Sequence, residues 1–342
     1  MNKRRWVAVA IAAGLFLFAA VTAMTGPTKE EQEQVLSGIN GLLYGTNEMG
    51  ETIIEKGSSD SRIVEISVDG TIADSGESGL FSTETYNHQD FLQQLKAIQE
   101  DSTIKGILLE VNSPGGGVYE SAEIAKEMKK IKELGIPYYV SMKNMAASGG
   151  YYISAGAEKI FATDETVTGS IGVIMSGINY AGLFEKLGIE DQTYKSGALK
   201  DMGSAQRKPT EADNKVLQSF VDSAYGRFVK VVAEGRGMSE ESVRKLADGR
   251  IYDGAQAKEN GLIDALGFPE DALAQLKKDH DLENAEVFSY EAATTGFAST
   301  WLGSSLAEVQ GLKMSETSRV LSLLDSIGTA EAPKPLYYYG GE

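Results

Sequence analysis

Between Arg62 and Met142 the chain alternates strand-like and helix-like patterns, and this alternation limits the possible folds more than any other feature. RIVEISVDGTI, Arg62 to Ile72, alternates apolar and polar residues with the period of a half-buried strand. HQDFLQQLKAIQED then sets Phe91, Leu92, Leu95 and Ile98 at helical spacing. GILLEVN, Gly106 to Asn112, reads as a short, mostly apolar strand running into SPGGG. VYESAEIAKEMKKIKEL aligns Ala122, Ala125, Met128, Ile131 and Leu134 along one helical stripe, and IPYYVSM is a further strand. Strand, helix, strand, helix, strand implies an α/β fold with a parallel sheet and right-handed crossovers. In such sheets function gathers at the C-terminal strand ends. Both glycine-rich turns, SPGGG and ASGG, follow strand ends, so they are expected on one shared edge.

The flanking regions are less regular. Thr25 to about Asp60 is polar, acidic and glycine-containing, and reads as a linker with at most one short helix. KIFATDETVTGSIGVIMSG reads as strand, turn and strand. Thr210 is a good N-cap, with Asp213 three residues on, for a long amphipathic helix. SEESVRKLADGRIYDGAQAKENGLIDALG reads as two short helices around a DGRIYDG turn, and Leu306 to Ile327 as one amphipathic helix. The expected divisions are 1–26, a membrane anchor; 27–60, a linker; 61–283, a catalytic domain; and 284–342, a helical segment with a tail.

Composition removes several function classes. The net charge of −17 argues against nucleic acid, whose phosphates need a basic surface. There are no cysteines, so disulfides, zinc–thiolate sites, iron–sulfur clusters and cysteine nucleophiles are excluded. Two isolated histidines, His88 and His280, do not suggest a metal site. No cofactor is expected. At the N-terminus Lys3, Arg4 and Arg5 precede 19 uncharged, mostly apolar residues, Trp6 to Met24. A helix of that length nearly spans a core of about 30 Å, with the basic end cytoplasmic and the rest of the chain outside. A cleaved signal peptide is the rival reading, through the small residues Val21-Thr22-Ala23. The retained anchor is preferred, because the apolar run is long and Met24 is bulky.

The stretch SMKNMAASGGYYISAG places Ser148 between two alanines and two glycines, after a strand and before an apolar segment. That arrangement presents a nucleophile at a helix N-terminus. The Gly115-Gly116-Gly117 cluster can aim free backbone N–H groups at a developing oxyanion. A Ser-His-Asp triad would need a histidine with a carboxylate partner. His88 heads an early helix and His280 lies in KKDHDLE, and both read as surface residues. The alternative base is a neutral lysine, lowered about 3 pH units from its usual value by burial among apolar groups. YKSGALKDMGSAQRKP holds two lysines in small or apolar surroundings, Lys195 and Lys200. Spacing does not choose between them, and Asp201 weakly disfavours Lys200 by stabilising its charge.

Five ordered segments carry a resemblance: LEVNSPGGGVYESAEI, SMKNMAASGGYYISAGAEKIFA, TGSIGVI, KSGALKDMGSAQRKPT and DGRIYDGAQAKENGLID. Together, over about Arg62 to Leu276, they closely resemble the signal peptide peptidase A group of peptidase family S49, in its short Gram-positive form. The resemblance implies a Clp-protease/crotonase-like spiral of ββα units with an N-terminal transmembrane helix. It implies Ser148 as nucleophile, Lys200 as general base, Ser170 of TGSIG as the hydroxyl that orients the lysine, and an oxyanion hole of backbone N–H groups from Gly115 or Gly116 and Gly149. It further implies a homo-oligomeric ring in which neighbouring protomers complete each site. The substrates implied are remnant signal peptides and other small or unfolded polypeptides at the extracytoplasmic face. An acyl-CoA enzyme would share the glycine oxyanion hole without needing Ser148 or Lys200, and a degenerate scaffold would lack one of the pair. A sibling protease with one specific membrane-protein substrate is the nearest alternative. The closing KPLYYYGGE reads as an unstructured end, in preference to a substrate-like strand entering a cleft.

Overall fold

The computed structural model describes residues 50–74, 86–290 and 335–340. In chain order the elements are β1 (Glu51–Glu55), β2 (Ser58–Asp69), α1 (His88–Glu100), β3 (Ile104–Ser113), β4 (Gly115–Gly117), α2 (Val118–Glu133), β5 (Tyr138–Ala147), α3 (Gly149–Ser154), β6 (Lys159–Ala162), β7 (Val167–Gly169) and α4 (Ala181–Leu187). They continue with α5 (Glu211–Arg236), α6 (Glu240–Leu246), β8 (Ile251–Tyr252), α7 (Gly254–Glu259), β9 (Ala265–Leu266), α8 (Pro269–Asp279), β10 (Ala285–Tyr290) and β11 (Leu336–Tyr338).

The strands form a mixed sheet in the order β1-β10-β2-β3-β5-β6-β9, with β7 on β5 and β8 on β7. The central pairs β2–β3, β3–β5 and β5–β6 are parallel, as the alternation requires. Alternate residues of these strands face opposite layers. Val64, Ile107, Leu109, Val140 and Ile160 pack with Leu95 and Ile98 of α1 and Ile124, Met128 and Ile131 of α2. Ile63, Leu108, Tyr139 and Phe161 pack with Ala272, Leu273 and Leu276 of α8. The helix anticipated from Thr210 is present with its full capping box: Thr210 Oγ1 accepts from the Asp213 N–H, and the Asp213 carboxylate accepts from the Thr210 N–H.

Three expectations differ from what is observed. Residues 51–60, expected within the linker, form β1 and the start of β2; their side chains are exposed, Ile53 and Ile54 included, so the edge pairing is made by the backbone without burying an apolar face. Residues 285–290, expected in a helical segment, form β10 between β1 and β2. The end of the chain is not unstructured: β11 pairs antiparallel with β4. The expected membrane helix and the helix from Leu306 to Ile327 lie outside the described residues. Among those described, no helix is long and apolar enough to cross a membrane.

Candidate active site

Strand β3 ends at Ser113, and Pro114 leads into the three glycines of β4. Ile72 flanks one edge of β4, donating to Gly115 O and accepting from Gly117 N, both at 2.8 Å. Pleating therefore turns the N–H and C=O of Gly116 to the opposite edge. The Gly115 N–H is already used by Ser113 Oγ at 3.1 Å. Close approach explains the glycines. A Cβ on Gly115, where φ is +99°, would lie 2.0 Å from Tyr337 O and 2.5 Å from Gly149 N. On Gly116 it would lie 2.0 Å from Ile72 O.

Ser148 follows the last residue of β5 and caps α3, with φ 52° and ψ −113°. A residue with a Cβ holds such a conformation only where its surroundings enforce it. Here its N–H donates to Gly169 O at 2.8 Å, its carbonyl accepts from Tyr152 N at 2.8 Å, and the residue is 1% exposed. Strand β7 pairs with β5, Ala147 opposite Gly169, so Ser148 and Ser170 leave neighbouring strands at the same level. Ser170 also has positive φ, 47°, and its N–H donates to Arg250 O at 2.8 Å. The two serines thus share the edge that carries β4.

The two lysines differ sharply. Lys195 Nζ donates to both oxygens of Asp201, at 2.7 and 2.8 Å. Lys200 lies in a turn, its N–H donating to Gly197 O at 3.1 Å, and its side chain is exposed. Among the described residues it makes no hydrogen bond to Ser148 or Ser170 of the same chain. Arg207 also grips Asp201, through Nε and Nη2 at 2.9 Å each, and reaches Asp213 at 2.5 and 3.1 Å. The Arg207 guanidinium, with Lys195 beside it, holds the Asp201 carboxyl well below the usual carboxylate range. Arg207 and the Thr210 N–H do the same to Asp213.

The tail lies along this edge. Leu336, Tyr337 and Tyr338 stand opposite Gly117, Gly116 and Gly115. On its other side Leu336 exchanges two backbone bonds with Ile174, at 2.9 and 3.0 Å. Tyr337 O comes close to both Gly115 and Gly149. The Tyr337 ring is 1% exposed, stacked on Tyr152 at 4.9 Å and against Phe228 at 4.7 Å. Its hydroxyl donates to Ala224 O at 3.1 Å. Burial raises the Tyr337 phenol above its ordinary pKa, so the ring stays neutral.

The histidines take no part in this edge. His88, expected on the surface, is 2% exposed and bound by the Tyr86 hydroxyl at 2.7 Å and Glu123 at 3.1 Å. Its place at the head of α1 turns it toward α2, which the sequence pattern did not reveal. His280 pairs with Glu158 at 3.2 Å. Tyr152, Ala224, Phe228, Ile174 and Arg207 were not anticipated from the sequence. For Tyr152 alone there was a signal, its position in the helix that follows Ser148.

Comparison with known proteins gives the family. The family model described as peptidase family S49 matches residues 130–283, and that described as Clp protease matches residues 81–168. A protein of Enterococcus faecium that carries the name signal peptide peptidase SppA is 62% identical over 100% of both chains. Protease 4 of Haemophilus influenzae is 34% identical over 62% of this chain and 34% of its own. The chloroplastic serine protease SPPA of Arabidopsis thaliana is 31% identical over 56% of this chain and 28% of its own. The mixed α/β sheet is accordingly Clp-protease-like.

Proposed function

The chain belongs to peptidase family S49 and is a serine peptidase, and from that premise we propose that Ser148 is its nucleophile and Lys200 of a neighbouring copy its general base. The observation that carries the reading is the tail: a polypeptide lies extended on Gly115–Gly117, one carbonyl beside Gly149 and the strained serine adjacent. In this reading Ser148 Oγ attacks the substrate carbonyl while neutral Lys200 takes the hydroxyl proton. The oxyanion is met by the N–H groups of Gly116 and Gly149, since the Gly115 N–H serves Ser113. Lys200 returns the proton to the leaving amine, and water then hydrolyses the acyl-enzyme by the same route. Ser170 orients the lysine. Lys195 is the weaker candidate because both oxygens of Asp201 already hold its ammonium group.

Three coarser features follow from the same reading. The repeat of two strands and a helix, β3-β4-α2 and then β6-β7-α4, supports a spiral of ββα units. Ile178, Leu183, Leu187, Tyr194 and Phe220, all more than half exposed, lie in the stretch of chain from 178 to 220 that holds Lys200, and support packing against another copy in a ring. The basic cluster and apolar run at residues 3–24 support a single-pass anchor with the catalytic domain extracytoplasmic. Substrates are then remnant signal peptides and other unfolded polypeptides near the membrane. A peptidase assay on wild type and three variants tests the dyad. Ser148→Ala and Lys200→Ala abolish turnover while Lys195→Ala remains active; loss confined to Lys195→Ala would reverse the assignment.

A further inference from the structure

Lys200 is followed directly by an acid, Asp201. An unpaired carboxylate there would stabilise the lysine's charge and oppose its use as a base. We propose that Arg207 is a positioning residue for Lys200, neutralising Asp201 and tying its loop to the start of α5. This inference rests on the reading of Lys200 as the general base.

The geometry is that of a clamp. The guanidinium reaches Asp201 through two nitrogens and Asp213 through two, and Nη2 also donates to the Asp201 carbonyl at 3.3 Å. Such a planar fork fixes direction as well as charge, which an ammonium does not. Asp213 is fully buried, belongs to the capping box of α5, and cannot drift. The loop is thereby fastened to the helix that carries Ala224 and Phe228, the walls around Tyr337. The charges also balance. Lys195 and Arg207 are two cations, Asp201 and Asp213 two anions, and the cluster as a whole is neutral. In sequence the other charged residues flanking the loop are Glu185 of α4, which pairs with Lys208 at 3.6 Å, and Lys186, Glu190, Asp191 and Glu211. Removing Arg207 alone leaves the cluster with one net negative charge adjacent to Lys200.

The test is the pH dependence of kcat/KM in the full-length protein, for wild type, Arg207→Gln, Asp201→Asn and the double variant. Arg207→Gln is expected to move the acid limb up by about one pH unit, lowering kcat/KM near neutrality about tenfold. Adding Asp201→Asn, which removes the charge itself, is expected to return the limb to its original position. A clamp serving stability alone would lower activity at every pH without moving the limb. An unmoved limb, or a limb that the second substitution fails to restore, overturns the inference while Lys200→Ala remains inactive. Full activity in Lys200→Ala overturns the inference together with the reading beneath it.

Discussion

Ser148 pays a conformational cost to stand where it does. With φ 52° and ψ −113° it occupies a region costing a residue with a Cβ roughly 1–3 kcal/mol. The bonds to Gly169 and Tyr152 hold it there. Two substitutions that both remove the hydroxyl therefore separate strain from chemistry. Ser148→Ala keeps the Cβ and its strain, whereas Ser148→Gly relieves it. After the entropy glycine loses on folding, the glycine variant is expected to be about 1 kcal/mol more stable than the alanine variant. Urea unfolding of the two inactive proteins measures the difference, and equal midpoints would show that Ser148 is unstrained. The sequence singled out Ser148 through its place between alanines and glycines after a strand. It did not reveal the strain, because positive φ at a serine depends on bonds from β7, distant in the chain.

At the scale of elements, β11 on β4 is the feature with most bearing on activity. Its hold combines backbone pairing on both edges with the buried ring of Tyr337, and burying a side chain of that kind is worth roughly 1.5–3 kcal/mol. On the proposed reading, a substrate laid on β4 must displace it. Deleting Lys334 to Glu342 is expected to raise the rate on a short peptide several-fold, and Tyr337→Ala to give part of that gain. Unchanged rates and unchanged labelling by a serine-directed inhibitor in both would remove the tail from any regulatory role. The central sheet was legible in the sequence because each buried strand and helix carries its own apolar period, as with Leu95 and Ile98 or Ile107 and Leu109. The β4–β11 pair carries none: three glycines meet LYY through main chain alone. Likewise β1 shows five exposed residues, and its pairing with β10 leaves no mark in hydropathy. The Arg207 clamp was hidden because its partners lie six residues away on either side in a polar stretch.

For the whole molecule, Ser148 is buried and Lys200 of the same chain is exposed. A shared site makes a direct prediction about mixtures. Ser148→Ala and Lys200→Ala proteins, each inactive, should regain activity when assembled together, with about a quarter of sites intact in a random ring. Mixtures that stay inactive after verified exchange of protomers would place the lysine in the same chain as its serine. The groove itself has a consequence for what such an assembly can touch. Its floor, Gly115 to Gly117, meets the tail through peptide groups, with one deep socket for a ring. On the proposed reading, a guest is screened first by whether its chain can be drawn out straight, and only then by a single side chain. Folded proteins, whose backbones are already spent on their own helices and sheets, have nothing to offer such a floor, and are spared without being recognised.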